Sequence, residues 1–237
     1  MTDIRESLIE KSKALGVKVT PEQAEQFQIY MELLLEWNEK MNLTSITEPK
    51  EVVEKHFLDS LTLLLWKKLK QGAKVIDVGT GAGFPGIPLK ILRPDIELTL
   101  LDGTMKRLNF LGEVCKALKL SANRVHKRAE EAGLDKTMRE RYDVATARAV
   151  ASLNVLSEYC MPLVKMKGYF IAMKGPGAAQ ELEEAENALD ILGAGEPEVL
   201  PVTLPGGEER NLVIVQKLRF TPKGYPRHGG TILKHPL

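Results

Sequence analysis

The hydrophobic positions of this chain change rhythm near Gly72. Before it, apolar residues recur every three or four positions, as they do on a helix with one buried face. Residues 3–14 carry a weak form of that repeat. Thr20-Pro21-Glu22-Gln23 predicts a helix start, because Thr20 can cap, proline suits the first helical position and Gln23 completes a capping box. Phe27, Met31, Leu34 and Leu35 then share one face. A third amphipathic stretch, about 49–68, turns Val52, Val53, Phe57, Leu61, Leu64 and Leu65 inward, and a polar connector beginning at Asn42 precedes it.

Beyond Gly72, short β-rich runs alternate with helical ones. Strands are expected at 74–79, 97–102, 123–129, 142–149 and 168–174, with helices at 85–93, 105–118, 152–164 and 178–193. Two last strands, 199–205 and 211–218, are joined through Gly206-Gly207 by too few residues for a crossover, so they should pair antiparallel. This pattern predicts an α/β fold: a Rossmann-like, mostly parallel seven-stranded sheet with an antiparallel last strand and helices on both faces. It divides into an N-terminal helical extension packed on the core (1–70), a sheet core (71–218) and a tail (219–237). The tail, with three prolines, reads as irregular.

Composition changes this picture little. The 237 residues are 43% hydrophobic and 27% charged, as in an ordinary soluble protein. The net charge of +1 is unevenly spread. From Arg210 onward there are six Lys or Arg and no Asp or Glu, leaving −5 on the rest of the chain. Cys115 and Cys160 have neither a CxxC partner nor a His cluster, so a disulfide framework and a zinc site are not expected and a cytoplasmic protein is. The charged N-terminus is no signal peptide, and no run approaches the length of a membrane span, so no membrane role is expected.

The chemistry concentrates in VIDVGTGAGFPG, residues 75–86. An apolar strand runs into a turn holding Gly79, Gly81 and Gly83, where missing side chains let a ligand approach the backbone. In a parallel sheet such a turn lies at the carboxyl ends of the strands, where ligands bind. Gly81, Gly83 and Gly86 match the dinucleotide pattern G-x-G-x-x-G, but Phe84 and Pro85 suit a pyrophosphate poorly. The carboxylate of Asp77 would repel it, whereas a cationic sulfonium with an amino-acid tail could use such a group. Asp102 ends the next strand, where a carboxylate binds ribose hydroxyls, and does not by itself separate the two cofactors. Lys106, Arg107, Arg128, Arg148 and Lys174 all fall near carboxyl ends of strands, so they should converge on one sheet edge and attract phosphates. Arg210 joins this basic set, and the phosphates it would attract are those of a nucleic acid such as RNA. His56, Asp59 and Ser60 share one helix face, a spacing equally suited to a structural polar cluster.

Taken together, the segments EWNEKMNLTSI (36–46), KHFLDSL (55–61), DVGTGAGFPGIPL (77–89), LLDGTMKRLNFL (100–111), TARAVASL (146–153), MKG (173–175) and ERNLVIV (209–215) resemble the 16S (small-subunit) ribosomal RNA guanine-N7 methyltransferases, the glucose-inhibited division protein B family. The glycine loop alone indicates only a class I methyltransferase; the other segments in this order are specific. The resemblance implies an S-adenosyl-L-methionine-dependent enzyme acting on small-subunit ribosomal RNA or an assembling subunit, as a monomer. Gly79 and Phe84 would frame the methyl donor, Asp102 hold its ribose, Ala129 and Glu130 flank its adenine, and Arg148 lie at the active-site mouth. Asn42, His56, Asp59 and Ser60 would form a pocket wall. Gly103 stands where the family commonly has serine. Guanine N7 has a free lone pair and no proton, so neither a catalytic nucleophile nor a metal is expected; positioning and electrostatics should suffice. An oxidoreductase using the glycine pattern with NAD would need a catalytic His or Tyr-Lys pair that is not evident. A non-enzymatic RNA-binding module would not need the intact loop, Asp102 and Arg148.

Overall fold

The computed structural model describes residues 2–237. Seven strands form one sheet: β1 (Lys74–Val78), β2 (Glu97–Asp102), β3 (Ala122–His126), β4 (Tyr142–Arg148), β5 (Val164–Lys174), β6 (Glu198–Thr203) and β7 (Glu209–Gln216). Their order is β3-β2-β1-β4-β5-β7-β6. The first five are mutually parallel where they pair; β7 runs antiparallel to both β5 and β6. The strand order reverses between β1 and β4, which opens a crevice at their carboxyl ends. β1 buries every residue after Lys74, as a central strand covered on both faces must. Pro201 sits in β6, an edge strand that tolerates a residue without an N–H.

The N-terminal helices are α1 (Arg5–Ala14) and α2 (Pro21–Met41). Thr20 and Gln23 bond reciprocally at the start of α2, the capping box anticipated from sequence. Residues 49–65 form a continuous helical segment of changing pitch: α3 (Pro49–Val52), a π turn at Val53–Leu58, α4 (Asp59–Leu61) and a 3-10 turn at Thr62–Leu65. The core elements continue with α5 (Gly86–Leu92), α6 (Met105–Ala117), α7 (Ala129–Leu134), α8 (Leu153–Cys160), α9 (Ala178–Ile191) and α10 (Gly229–Lys234). One hydrophobic core joins the N-terminal helices, α5 and α6 to one sheet face; the other lies under α8 and α9 on the opposite face. No described helix is long and apolar enough to cross a membrane.

Two expectations are corrected. The strand expected at 123–129 ends at His126, and α7 begins at Ala129, where Glu131 accepts the Arg128 amide. The tail is not irregular throughout. Arg227 forks onto Glu158, Arg139 donates to the carbonyls of Thr221 and Tyr225, and Ile232 of α10 is fully buried. Those long-range contacts hold a helix too short to be stable alone.

Candidate active site

Three glycines of the turn after β1 have positive φ: Gly79 (69°), Gly81 (58°) and Gly83 (103°). Gly83 also faces Tyr30, Ile87 and Leu111 so closely that a Cβ would meet them at 2.6–2.8 Å. The loop is held from beneath. Gly79 and Thr80 donate to the Leu101 carbonyl, while Tyr30 donates to the Ala82 carbonyl and ties the turn to α2. Asp77 is fully buried, and its Oδ2 accepts from the Thr80 hydroxyl (2.6 Å) and the Gly86 amide (2.9 Å). It shapes the loop from within and lines neither of the cavities described next.

Two cavities flank this turn. The first, about 460 Å³, is lined by Gly79, Leu101, Asp102, Thr104, Ala129 and Glu130, and also by Arg107, Arg128, Tyr159 and Leu233. Asp102 is almost fully buried; its Oδ2 accepts from Gly81 (2.9 Å) and its Oδ1 from Thr104 (2.8 Å). Oδ1 keeps a further acceptor site, while Arg107 Nη1 lies 3.5 Å from Oδ2. Glu130 is bonded by Arg128 at 2.6 Å. Apolar walls with two carboxylates suit a nucleoside-sized ligand carrying ribose hydroxyls, whereas a pyrophosphate would be repelled. The absence of a Ser side chain at Gly103 leaves the neighbouring Thr104 amide on Asp102 unaffected.

The second cavity, about 780 Å³, lies toward the helical extension and is lined by Ile46, Lys55, His56, Asp59, Arg148, Lys174 and Arg210 among others. Arg148 organises it. Its Nη1 donates to Lys55 O (2.7 Å) and Asp59 Oδ2 (2.9 Å), its Nη2 reaches His56 Nδ1 (3.1 Å), and its guanidinium lies 5.0 Å above the Phe84 ring. His56 stacks on Phe84 at 4.5 Å. Burial, reinforced by the Arg148 charge, pushes His56 down to about 4, so the ring is neutral at pH 7. With Nδ1 accepting from Arg148, Nε2–H donates to the Thr44 hydroxyl at 2.8 Å. Arg210 donates to the other oxygen of Asp59 at 3.2 Å. Phe84 is therefore clamped by the N-terminal extension and lines neither cavity.

The proposed pocket wall is only half assembled. His56 and Asp59 line the second cavity. Ser60 is fully buried and donates back to the His56 carbonyl, and Asn42 is an exposed left-handed residue (φ 48°) that stops α2. The basic residues also divide. Lys106, Arg107 and Arg128 are exposed, the last two lining the first cavity and paired with Asp102 (3.5 Å) and Glu130 (2.6 Å), and Arg148 and Arg210 are committed to Asp59. Lys174 departs from the phosphate contact expected of it: it is buried, donating to Ala151 O (2.7 Å) and Glu181 Oε2 (2.6 Å). Glu181 also accepts from Leu153 N, so this pair pins the segment after β4. That segment, Ala149–Ala151, lines both cavities, and a Cβ on Gly79 would meet Val150 at 2.8 Å. Val150, Tyr159 and Leu233 were not singled out from sequence. Val150 lies inside the specific segment TARAVASL; the other two carry no local signal.

Asp77 and His56 titrate in opposite senses. Burial raises Asp77 from 3.8 to about 6. The folded state therefore binds more protons than the unfolded chain across that window, and stability falls as pH rises through it. His56 is depressed from 6.5 to about 4, so its contribution is lost as pH falls through the same range. Each shift corresponds to about 3 kcal/mol, and the two largely cancel. Denaturant unfolding from pH 4 to 7 should show a shallow dependence in the unaltered chain. Asp77→Asn should make stability rise steeply with pH, and His56→Gln should make it fall. Parallel curves for all three proteins would sink the assignment.

A family model described as rRNA small subunit methyltransferase G matches residues 23–213. A protein of that name from Alkaliphilus oremlandii is 49% identical over 237 residues, covering 99% of each chain. Its counterpart from Desulforamulus reducens is 47% identical, covering 100% of each. Among solved structures, an SAM-dependent O-methyltransferase from Thermotoga maritima superposes with a TM-score of 0.53 at 14% identity, covering 78% of this chain and 71% of that one. A precorrin-6y C5,15-methyltransferase from Geobacter metallireducens gives 0.50 at 17% identity, covering 68% and 87%. These two likenesses concern the fold alone.

Proposed function

The chain belongs to the rRNA small subunit methyltransferase G family, and on that premise we propose that it methylates N7 of one guanine in small-subunit ribosomal RNA, using S-adenosylmethionine. The observation that carries this reading is the shared wall at Ala149–Ala151. It brings a nucleoside-sized cavity beside Gly79 into contact with a larger cavity lined by Arg148 and Arg210. Donor and acceptor compartments meeting at one point suit a direct in-line transfer.

Asp102 would hold the donor's ribose, and Ala129 and Glu130 would flank its adenine. The bound cofactor supplies an electrophilic methyl group. The chain supplies position and charge. In the acceptor cavity, the proton-accepting side chains of His56, Asp59 and Glu181 are engaged by Arg148, Arg210, Thr44 and Lys174. A cavity so arranged fits an acceptor atom with no proton to lose, which is the condition of guanine N7. Lys106, Arg107 and Arg128 are exposed, the last two at the smaller cavity, and are suited to RNA phosphates.

In an A-form helix N7 faces a groove too deep and narrow for side chains, so the target guanine must be in a loop or junction. Only 5% of residues are aromatic, which argues against a stacking platform as the selector. Selection should instead rest on folded RNA, and short oligonucleotides should be poor substrates. Deleting the gene should remove one alkali-labile 7-methylguanosine from the small-subunit RNA. Persistence of every such mark, or methylation of another atom by the purified enzyme, would overturn the N7 assignment while leaving the donor site standing.

A further inference from the structure

The C-terminal residues are placed against the smaller cavity by a chain of specific contacts. Arg227 is forked onto Glu158 of α8, with Nε at 3.0 Å and Nη2 at 2.7 Å, while its own amide donates to Glu158 at 2.7 Å. Glu158 is fully buried, so this pair has little competition from water. Pro226 rests on Gly133 of α7, where a Cβ would meet it at 2.8 Å. Gly229 opens α10 directly over Glu130; a Cβ there would meet Glu130 Oε1 at 2.1 Å. Ile232 then inserts into the core, which turns its neighbour Leu233 outward, 57% exposed, into the lining of the cavity that holds Asp102, Ala129 and Glu130.

An isolated exposed leucine needs no explanation. This one is delivered to a ligand-sized cavity by a buried ion pair, a glycine fitted to Glu130 and a buried anchor residue. We propose that the segment 226–233 is a built wall of the methyl-donor site and that Leu233 is a cofactor-binding residue, supplying an apolar face to the adenine ring. The inference rests on the donor-site reading above. An aromatic heterocycle gains by exchanging water for an aliphatic side chain on one face, and Leu233 is the tail's contribution to that cavity. The tail thereby acts on the donor as well as carrying positive charge.

The test uses the full-length protein and calorimetric titration with S-adenosylhomocysteine, then with adenosine. Leu233→Asp should weaken both ligands about tenfold or more, since it replaces apolar contact by a charge that demands water. Arg227→Gln, which releases the strap from Glu158, should weaken both in the same direction. Lys234→Gln, exposed beside them, should stay within twofold. Leu233 carries no core contact of its own, so unchanged circular dichroism and melting temperature are expected for Leu233→Asp. Binding of both ligands by Leu233→Asp within twofold of the unaltered chain overturns the proposal. So does a loss confined to S-adenosylhomocysteine, which would place Leu233 away from the adenosine moiety. If the unaltered chain binds neither ligand, the donor-site reading fails, and this inference with it.

Discussion

Asp102→Ala is expected to weaken S-adenosylmethionine binding by roughly 400–5,000-fold, about 3.5–5 kcal/mol in all. A lost charge-assisted hydrogen bond to ribose accounts for about 1.5–3 kcal/mol. The structure adds a second cost that the sequence did not suggest, because the same carboxylate accepts from the amides of Gly81 and Thr104. Removing it releases the glycine turn, at about 1 kcal/mol for each bond. Asp102→Asn keeps an acceptor and the side-chain shape, so it should lie between the two. S-adenosylhomocysteine has the same ribose and should weaken in parallel. Calorimetry with both ligands decides the point: a loss seen with only one would contradict the ribose assignment.

Arg148→Ala should lower methyl transfer to ribosomal subunits by at least about 10²-fold, the scale of a misplacement of about 1 Å in the wall that positions the acceptor. It should also destabilise the fold, because Lys55 O and His56 Nδ1 lose their donor and Phe84 loses the cation above it. About 2–4 kcal/mol is reasonable for breaking such a partly buried network. Activity should therefore be measured well below the melting transition. Arg148→Lys should not restore it, since an ammonium cannot reproduce the guanidinium fork. Turnover within threefold of the unaltered chain, in folded protein, would remove Arg148 from the site. The structure makes Arg148 a staple between the sheet and the helical extension, which explains why HFLDS and TARAV belong together in one chain.

The periodicities determined the architecture because they record burial locally. A residue such as Phe27 or Ile76 is apolar since its face of a helix or strand is covered, and neighbours at the correct spacing report the same face. The glycine turn was legible for a similar reason: positive φ constrains residues close in sequence, and Asp102 stands at its strand end as the pattern of runs predicts. Nothing local distinguishes Lys174 from a solvated lysine, or Ser60 from a pocket hydroxyl. Lys174 is turned inward by Ala151, 23 positions away, and Ser60, fully buried, spends its hydroxyl on the His56 carbonyl of its own helix. The same holds for Asp77, read as a cofactor ligand but buried beneath the loop it shapes. The tail was the largest departure. Its prolines and charges describe an irregular segment, yet Glu158, 69 positions from Arg227, fixes it beside the smaller cavity. Sequence patterns determined which surfaces are covered; only the tertiary structure decided which polar groups spend their hydrogen bonds on the protein and which keep them for a ligand.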